Sequence, residues 1–142
     1  MEVLIAVLVL AVGMLGMAAL QAVTLKNSNS SAARSQAAMQ TYSLFDQLRL
    51  NREAAMAGGF NVSGWTCSAA AADPEAEEPD TTDYSLFNGW LGDVQQVLGP
   101  TACGRIQCAA QECSVGVRWD DSRATGGGEN SEPLEIETTT RL

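Results

Sequence analysis

The sequence predicts an α+β protein in which one long N-terminal helix packs on a small antiparallel sheet. Three observations predict it. A run without a charged side chain extends from Val3 to Leu25. An amphipathic stretch carries on from it to Ala57, where Gly58-Gly59 is a stop signal. Beyond a further helical pattern, Val115, Val117 and Trp119, then Leu134, Ile136 and Thr138, alternate with polar neighbours as strands do. Of 142 residues about 85 lie beyond the N-terminal helix, enough for one small domain.

In the first 25 residues only Gln21 and Thr24 interrupt the apolar run behind Glu2. At about 1.5 Å per residue the run is roughly 34 Å long, sufficient to cross a hydrocarbon core of about 30 Å. A helix is the single-segment structure that satisfies every backbone amide there. A cleaved secretory signal would place Lys or Arg before a shorter run, and none precedes this one. An ordinary single-pass anchor fits the hydropathy but leaves Glu2 unexplained. An unpaired carboxylate is costly in apolar surroundings, and no cation of this chain is near it, so its natural partner is on another chain. Gly13 and Gly16 each cost about 1 kcal/mol relative to Ala in a water-exposed helix. In return they permit close helix approach or local melting, although small residues are common in any membrane helix.

Asn27 to Ser31 is a polar, weakly helix-forming patch, a second soft point. After it, Ala38, Tyr42, Phe45, Leu48 and Met56 share about a third of the helix circumference, with Gln36, Ser43, Asp46 and Gln47 largely opposite. That face should lie on the globular domain. A single helix from Glu2 to Ala57 would be roughly 80 Å long. Such a rod has little use on an isolated soluble domain and becomes a filament core when bundled with related helices. The chain therefore divides into residues 1–26, for membrane or filament core, and 27–142, a globular domain that includes the amphipathic half of the helix.

Asp73 to Asp83 contains six acids and two prolines and is expected as a surface loop. It lacks the alternating Asp pattern of a calcium loop. Asn61-Val62-Ser63 matches a glycosylation acceptor. A second helix is expected over Asp83 to Leu98, capped by Asp83 and ended by Gly99-Pro100, with Leu86, Phe87, Trp90, Leu91, Val94 and Leu98 on one broad face. Strands follow over Gly104–Gln107, Ser114–Trp119 and Leu134–Thr140, with Asp120 to Asn130 a mobile loop.

Cys67, Cys103, Cys108 and Cys113 in an exported domain read as two disulfides, with three pairings open. The favoured pairing closes Cys108–Cys113 across a tight hairpin and ties the connection to the sheet through Cys67–Cys103. The rival is a four-cysteine zinc site, but the spacing lacks Cys-x₂-Cys knuckles. No metal and no cofactor are expected.

Residues 1–72 hold four cations against three acids, a balance of +1. Residues 73–142 hold fourteen acids against four arginines, a balance of −10. Acidity of that kind supports solubility and argues against nucleic acid as a partner. There is no His, hence no Ser-His or Cys-His pair, and Gly126–Gly128 lacks the Lys-Ser/Thr ending of a phosphate loop. Trp65, Trp90 and Trp119 could stack on a sugar but are expected in packing. An enzyme is not expected.

The opening, Met1-Glu2-Val3-Leu4-Ile5-Ala6-Val7-Leu8-Val9-Leu10-Ala11-Val12-Gly13-Met14-Leu15-Gly16-Met17-Ala18-Ala19-Leu20-Gln21, resembles the start of a mature type IV pilin-like protein. Within that superfamily it is most similar to the PilV-like minor pilins. The likeness covers about the first 50 residues, and Val117-Arg118-Trp119-Asp120-Asp121 is a weaker second one. In that family a basic leader ending in Gly is clipped by a prepilin peptidase and the new N-terminus is methylated, so a processed or trimmed form is expected here. The resemblance implies a pilin fold and a structural subunit that helps prime pilus assembly at or near the tip. It also implies as partners other minor pilins, the major pilin, an inner-membrane assembly platform and a PilY-type tip adhesin. Glu2 would contact the N-terminal amine of a neighbouring subunit. The implied location is the bacterial inner membrane, with the C-terminal domain periplasmic, and then the pilus surface. The alternatives are a minor pseudopilin of a type II secretion system and a membrane-anchored binding or adhesive domain.

Overall fold

A computed structural model describes residues 1–71, 82–122 and 132–142. Of the loop expected over 73–83 only Thr82 and Asp83 are among them, and of that expected over 120–130 only Asp120, Asp121 and Ser122; Gly126–Gly128 lie outside.

Helix α1 (Glu2–Leu50) runs unbroken through Gly13, Gly16 and the Asn27–Ser31 patch. It does not continue to Ala57. At Asn51 (φ −117°, ψ 41°) the backbone leaves the helix, and a short α2 (Arg52–Met56) follows. The Asn51 amide N–H turns to Leu48 O, and its side chain donates to Gln47 O at 3.2 Å. Asn competes in this way with the helical ladder, which periodicity alone does not register. Gly58 (φ 80°) then closes α2, with Gly59 N–H bonded to Ala54 O and Gly58 N–H to Ala55 O.

The buried seam of α1 is also rotated from the expected face. Ala37, Thr41, Leu44, Phe45 and Leu48 are buried, Ala38 is half-buried, and Tyr42 is 61 % exposed. Thr41 enters the seam because its hydroxyl donates to Ala37 O at 2.9 Å, leaving its methyl to pack. Tyr42, with a phenol needing a partner, stays outside.

Helix α3 (Tyr84–Leu98) is capped by Asp83, whose carboxylate accepts the Ser85 N–H at 2.9 Å. It ends at Gly99 (φ 106°) before Pro100. Phe87, Trp90, Leu91, Val94 and Leu98 are buried, whereas Leu86 is half-buried. Four antiparallel strands, β1 (Val62–Thr66), β2 (Cys103–Ala109), β3 (Glu112–Trp119) and β4 (Leu134–Arg141), form one sheet in sequence order. Strand β1 was not expected: it carries Gly64 at φ 80°, pairs irregularly with β2, and shows no alternation of apolar side chains. The β2–β3 turn places Ala110 at φ 54°.

The inner face of the sheet, with Ile106, Val115, Val117 and Trp119, meets the α1 seam and the apolar face of α3. Trp90 is the pin between the layers. It lies against Gly104, where an added Cβ would come within 2.4 Å of its ring, and its indole N–H donates to Gln40 O on α1 at 3.0 Å. The result is a long helix packed on a four-stranded antiparallel sheet, an α+β arrangement.

Candidate functional site

The feature least like a self-sufficient domain is the N-terminal half of α1. Between Val3 and Leu25 stand fourteen large apolar side chains, each at least 57 % exposed. At about 1.5 kcal/mol per such side chain, burying them is worth on the order of 20 kcal/mol, more than the whole stability of a typical domain. An apolar environment outside this chain must cover them. Among the described residues α1 is the one helix long and apolar enough to cross a membrane. Gly13 and Gly16 have nothing within 4 Å of an added Cβ, so neither serves a contact inside the chain. Glu2 lies in the first turn, where the helix dipole favours a carboxylate, and it makes no ion pair among the described residues.

The globular part is tied by the disulfides Cys67–Cys103 and Cys108–Cys113, which leave no free cysteine. Three amide side chains complete the fastening. Asn61 donates to Cys108 O at 3.0 Å and accepts from Cys108 N–H at 2.7 Å, clamping β2. Asn88 treats Ala70 the same way, at 2.9 and 2.7 Å. Gln95 donates to Cys67 O and Ala102 O. A lone Asn or Gln shows no such role in sequence; the one local signal at Asn61 was the acceptor motif. The nitrogen that would carry a glycan is already bonded to Cys108 O.

On the outer face of the sheet the half-buried Trp65 meets two guanidinium groups, Arg105 at 4.8 Å and Arg118 at 5.0 Å from its ring centroid. Arg105 pairs with Glu137, which also accepts the Ser114 hydroxyl. That hydroxyl is the main cause holding the Glu137 carboxyl below its ordinary range; burial opposes it, and Arg105 adds smaller lowering contributions. Trp90 and Trp119 lie in the core, 3 % and 2 % exposed.

A cavity of about 270 Å³ opens between Asn29, Ala33, Val97, Leu98, Trp119, Asp120 and Asp121. It lies beside Trp119, whose indole N–H lacks an acceptor among the described residues. At its rim Ser30 donates to Asp121 at 2.6 Å. Among the described residues no three His, Cys, Asp or Glu side chains are grouped to hold a metal. No family model matches the chain, and no curated protein or solved structure matches it either.

Proposed function

We propose that this chain is a minor pilin of a type IV pilus, a non-catalytic structural subunit that helps prime assembly and lies at or near the tip. One observation carries the reading. The apolar run of α1 from Val3 to Leu25, roughly 34 Å long, projects as a rod ahead of a disulfide-tied domain, with a single carboxylate at the leading end. A plain anchor accounts for the rod but not for the acid.

In this reading residues 1–26 rest in the bacterial inner membrane, with residues 27–142 on the periplasmic side. The rod then leaves lipid for a bundle of like helices, where its side chains are covered again, so the transfer costs little hydrophobic energy. Glu2 supplies direction. In a low-dielectric bundle its charge is tolerable only beside a cation, and the free amine of a neighbouring subunit supplies one. Gly13 and Gly16 let the segment bend or pack closely during transfer. The assembled partners are other minor pilins and the major pilin, with the inner-membrane platform behind and a PilY-type adhesin ahead. The two disulfides and the Val117-Arg118-Trp119-Asp120 segment support the PilV-like assignment over a secretion pseudopilin, which shares the helix and the glutamate.

The test is Glu2→Ala. The variant should keep the domain's thermal unfolding and lose incorporation into sheared surface fibres by tenfold or more. Normal incorporation, or a protein that stays a lipid-bound monomer in wild-type form, refutes the proposal.

A further inference from the structure

We infer that the outer face of the sheet, at Trp65 and Arg118, docks a carboxylate-bearing segment of another protein chain. The inference is independent of the assembly reading above, because it uses only the face of the sheet turned away from α1.

Trp65 lies across the sheet over Gly116: a Cβ there would come within 2.8 Å of the indole, so any other residue would lift the ring. Its two guanidinium neighbours differ in one respect. Arg105 is ion-paired with Glu137 through Nη2, while its buried Nε lacks a partner among the described residues. Arg118 is half-buried and stacked on the ring, yet it makes no hydrogen bond or ion pair among the described residues. Its cross-strand neighbour Glu135 forms no ion pair with it. A partly desolvated cation without a counter-charge among the described residues is poorly compensated, and its planar guanidinium, 5.0 Å from the Trp65 ring centroid, carries an N–H edge.

That edge matches a carboxylate or a phosphate, each of which accepts two parallel N–H bonds. The surroundings choose between them. Glu112, Glu135 and Glu137 share this face with Arg105, Arg118 and Arg141, and Arg105 and Arg141 are already paired with Glu137 and Glu112. Once those two pairs are set aside, a dense polyanion would meet the carboxylate of Glu135 beside the one cation left without an ion pair among the described residues. A single Asp or Glu with an apolar neighbour meets the Arg118 edge and the Trp65 ring together. Trp and Arg are also the side chains that most often anchor protein interfaces.

The test follows the Arg118 side-chain and Trp65 indole N–H resonances of the full chain in detergent micelles. The probes are a capped hexapeptide with one central glutamate between leucines, its glutamine counterpart, and sodium phosphate. The glutamate peptide should shift both resonances saturably, with the glutamine peptide at least tenfold weaker. Arg118→Gln should abolish the Trp65 shift without moving the unfolding midpoint. If that variant does not fold, Arg118→Lys, which keeps charge but loses the fork, should bind at least threefold more weakly. Absence of a saturable shift, equal binding of the two peptides, phosphate matching the glutamate peptide, or undiminished binding by the Arg118 variant overturns the inference.

Discussion

Substituting Gly104 tests the joint on which the α1–sheet packing depends. The added methyl of Gly104→Ala would sit 2.4 and 2.9 Å from Cζ3 and Cη2 of Trp90 and 3.3 Å from Cε2 of Phe87. Neither ring has free space, since Trp90 is 3 % exposed and Phe87 is fully buried. If Trp90 moves away, its indole N–H leaves Gln40 O. Overpacking of this kind costs about 1–3 kcal/mol. The lost hydrogen bond adds about 1 kcal/mol. A total near 3 kcal/mol should lower the unfolding midpoint by roughly 10–15 °C for a domain of this size. Gly92→Ala, in α3 with nothing within 4 Å, is the control; removing a helical glycine there should stabilise by up to about 1 kcal/mol. Thermal unfolding of the full chain in detergent, followed by circular dichroism and tryptophan fluorescence, reads both. A Gly104→Ala midpoint within about 3–5 °C of the parent's (roughly 1 kcal/mol), or an equal fall for Gly92→Ala, refutes the reasoning.

The disulfides should differ in worth. Replacing Cys67 and Cys103 by Ala opens a 36-residue separation and should cost about 4 kcal/mol, against about 2 kcal/mol for the 5-residue Cys108–Cys113 loop, as read by urea unfolding. Asn61→Ala removes both bonds to the Cys108 backbone and should cost about 2 kcal/mol by the same assay, whereas enzymatic deglycosylation of the parent should change neither mass nor stability. The lowered Glu137 carboxyl has a definite sign: its contribution is present above the unfolded-state value of about 4.3 and is lost as pH falls through the folded one. Because its side chain is 41 % exposed the effect should be below about 1 kcal/mol, so the stabilities of Glu137→Gln and the parent should differ at pH 7 and converge in acid.

Elements whose signals are local were legible in the sequence. Gly58-Gly59 ends a helix because a left-handed residue is needed there, and Asp83 starts one because its carboxylate can turn back to an amide. Strands β3 and β4 announce themselves by alternation that a two-faced sheet imposes, whereas β2 is expected only over the shorter Gly104–Gln107 and without that signal. What stayed hidden depends on distant partners. Strand β1 owes its existence to β2 and to the Asn61 clamp rather than to its own residues. The rotated α1 seam turns on one hydroxyl that satisfies itself at Thr41. The break at Asn51 is a contest between side-chain and main-chain hydrogen bonds that a hydrophobic pattern cannot represent. At the candidate site, Glu2 and the two glycines are visible as departures from an otherwise uniform run. The Trp65–Arg118 pair is invisible until β1 and β3 are brought to the same sheet.

The Cys67–Cys103 bridge has a mechanical consequence. The chain pulled between its rod and its last strand would shed secondary structure, but the 36-residue separation spanned by the covalent tie, with α3 inside it, stays out of the extensible contour. At about 3.4 Å per residue that withholds roughly 120 Å of slack, which only reduction of the bridge releases.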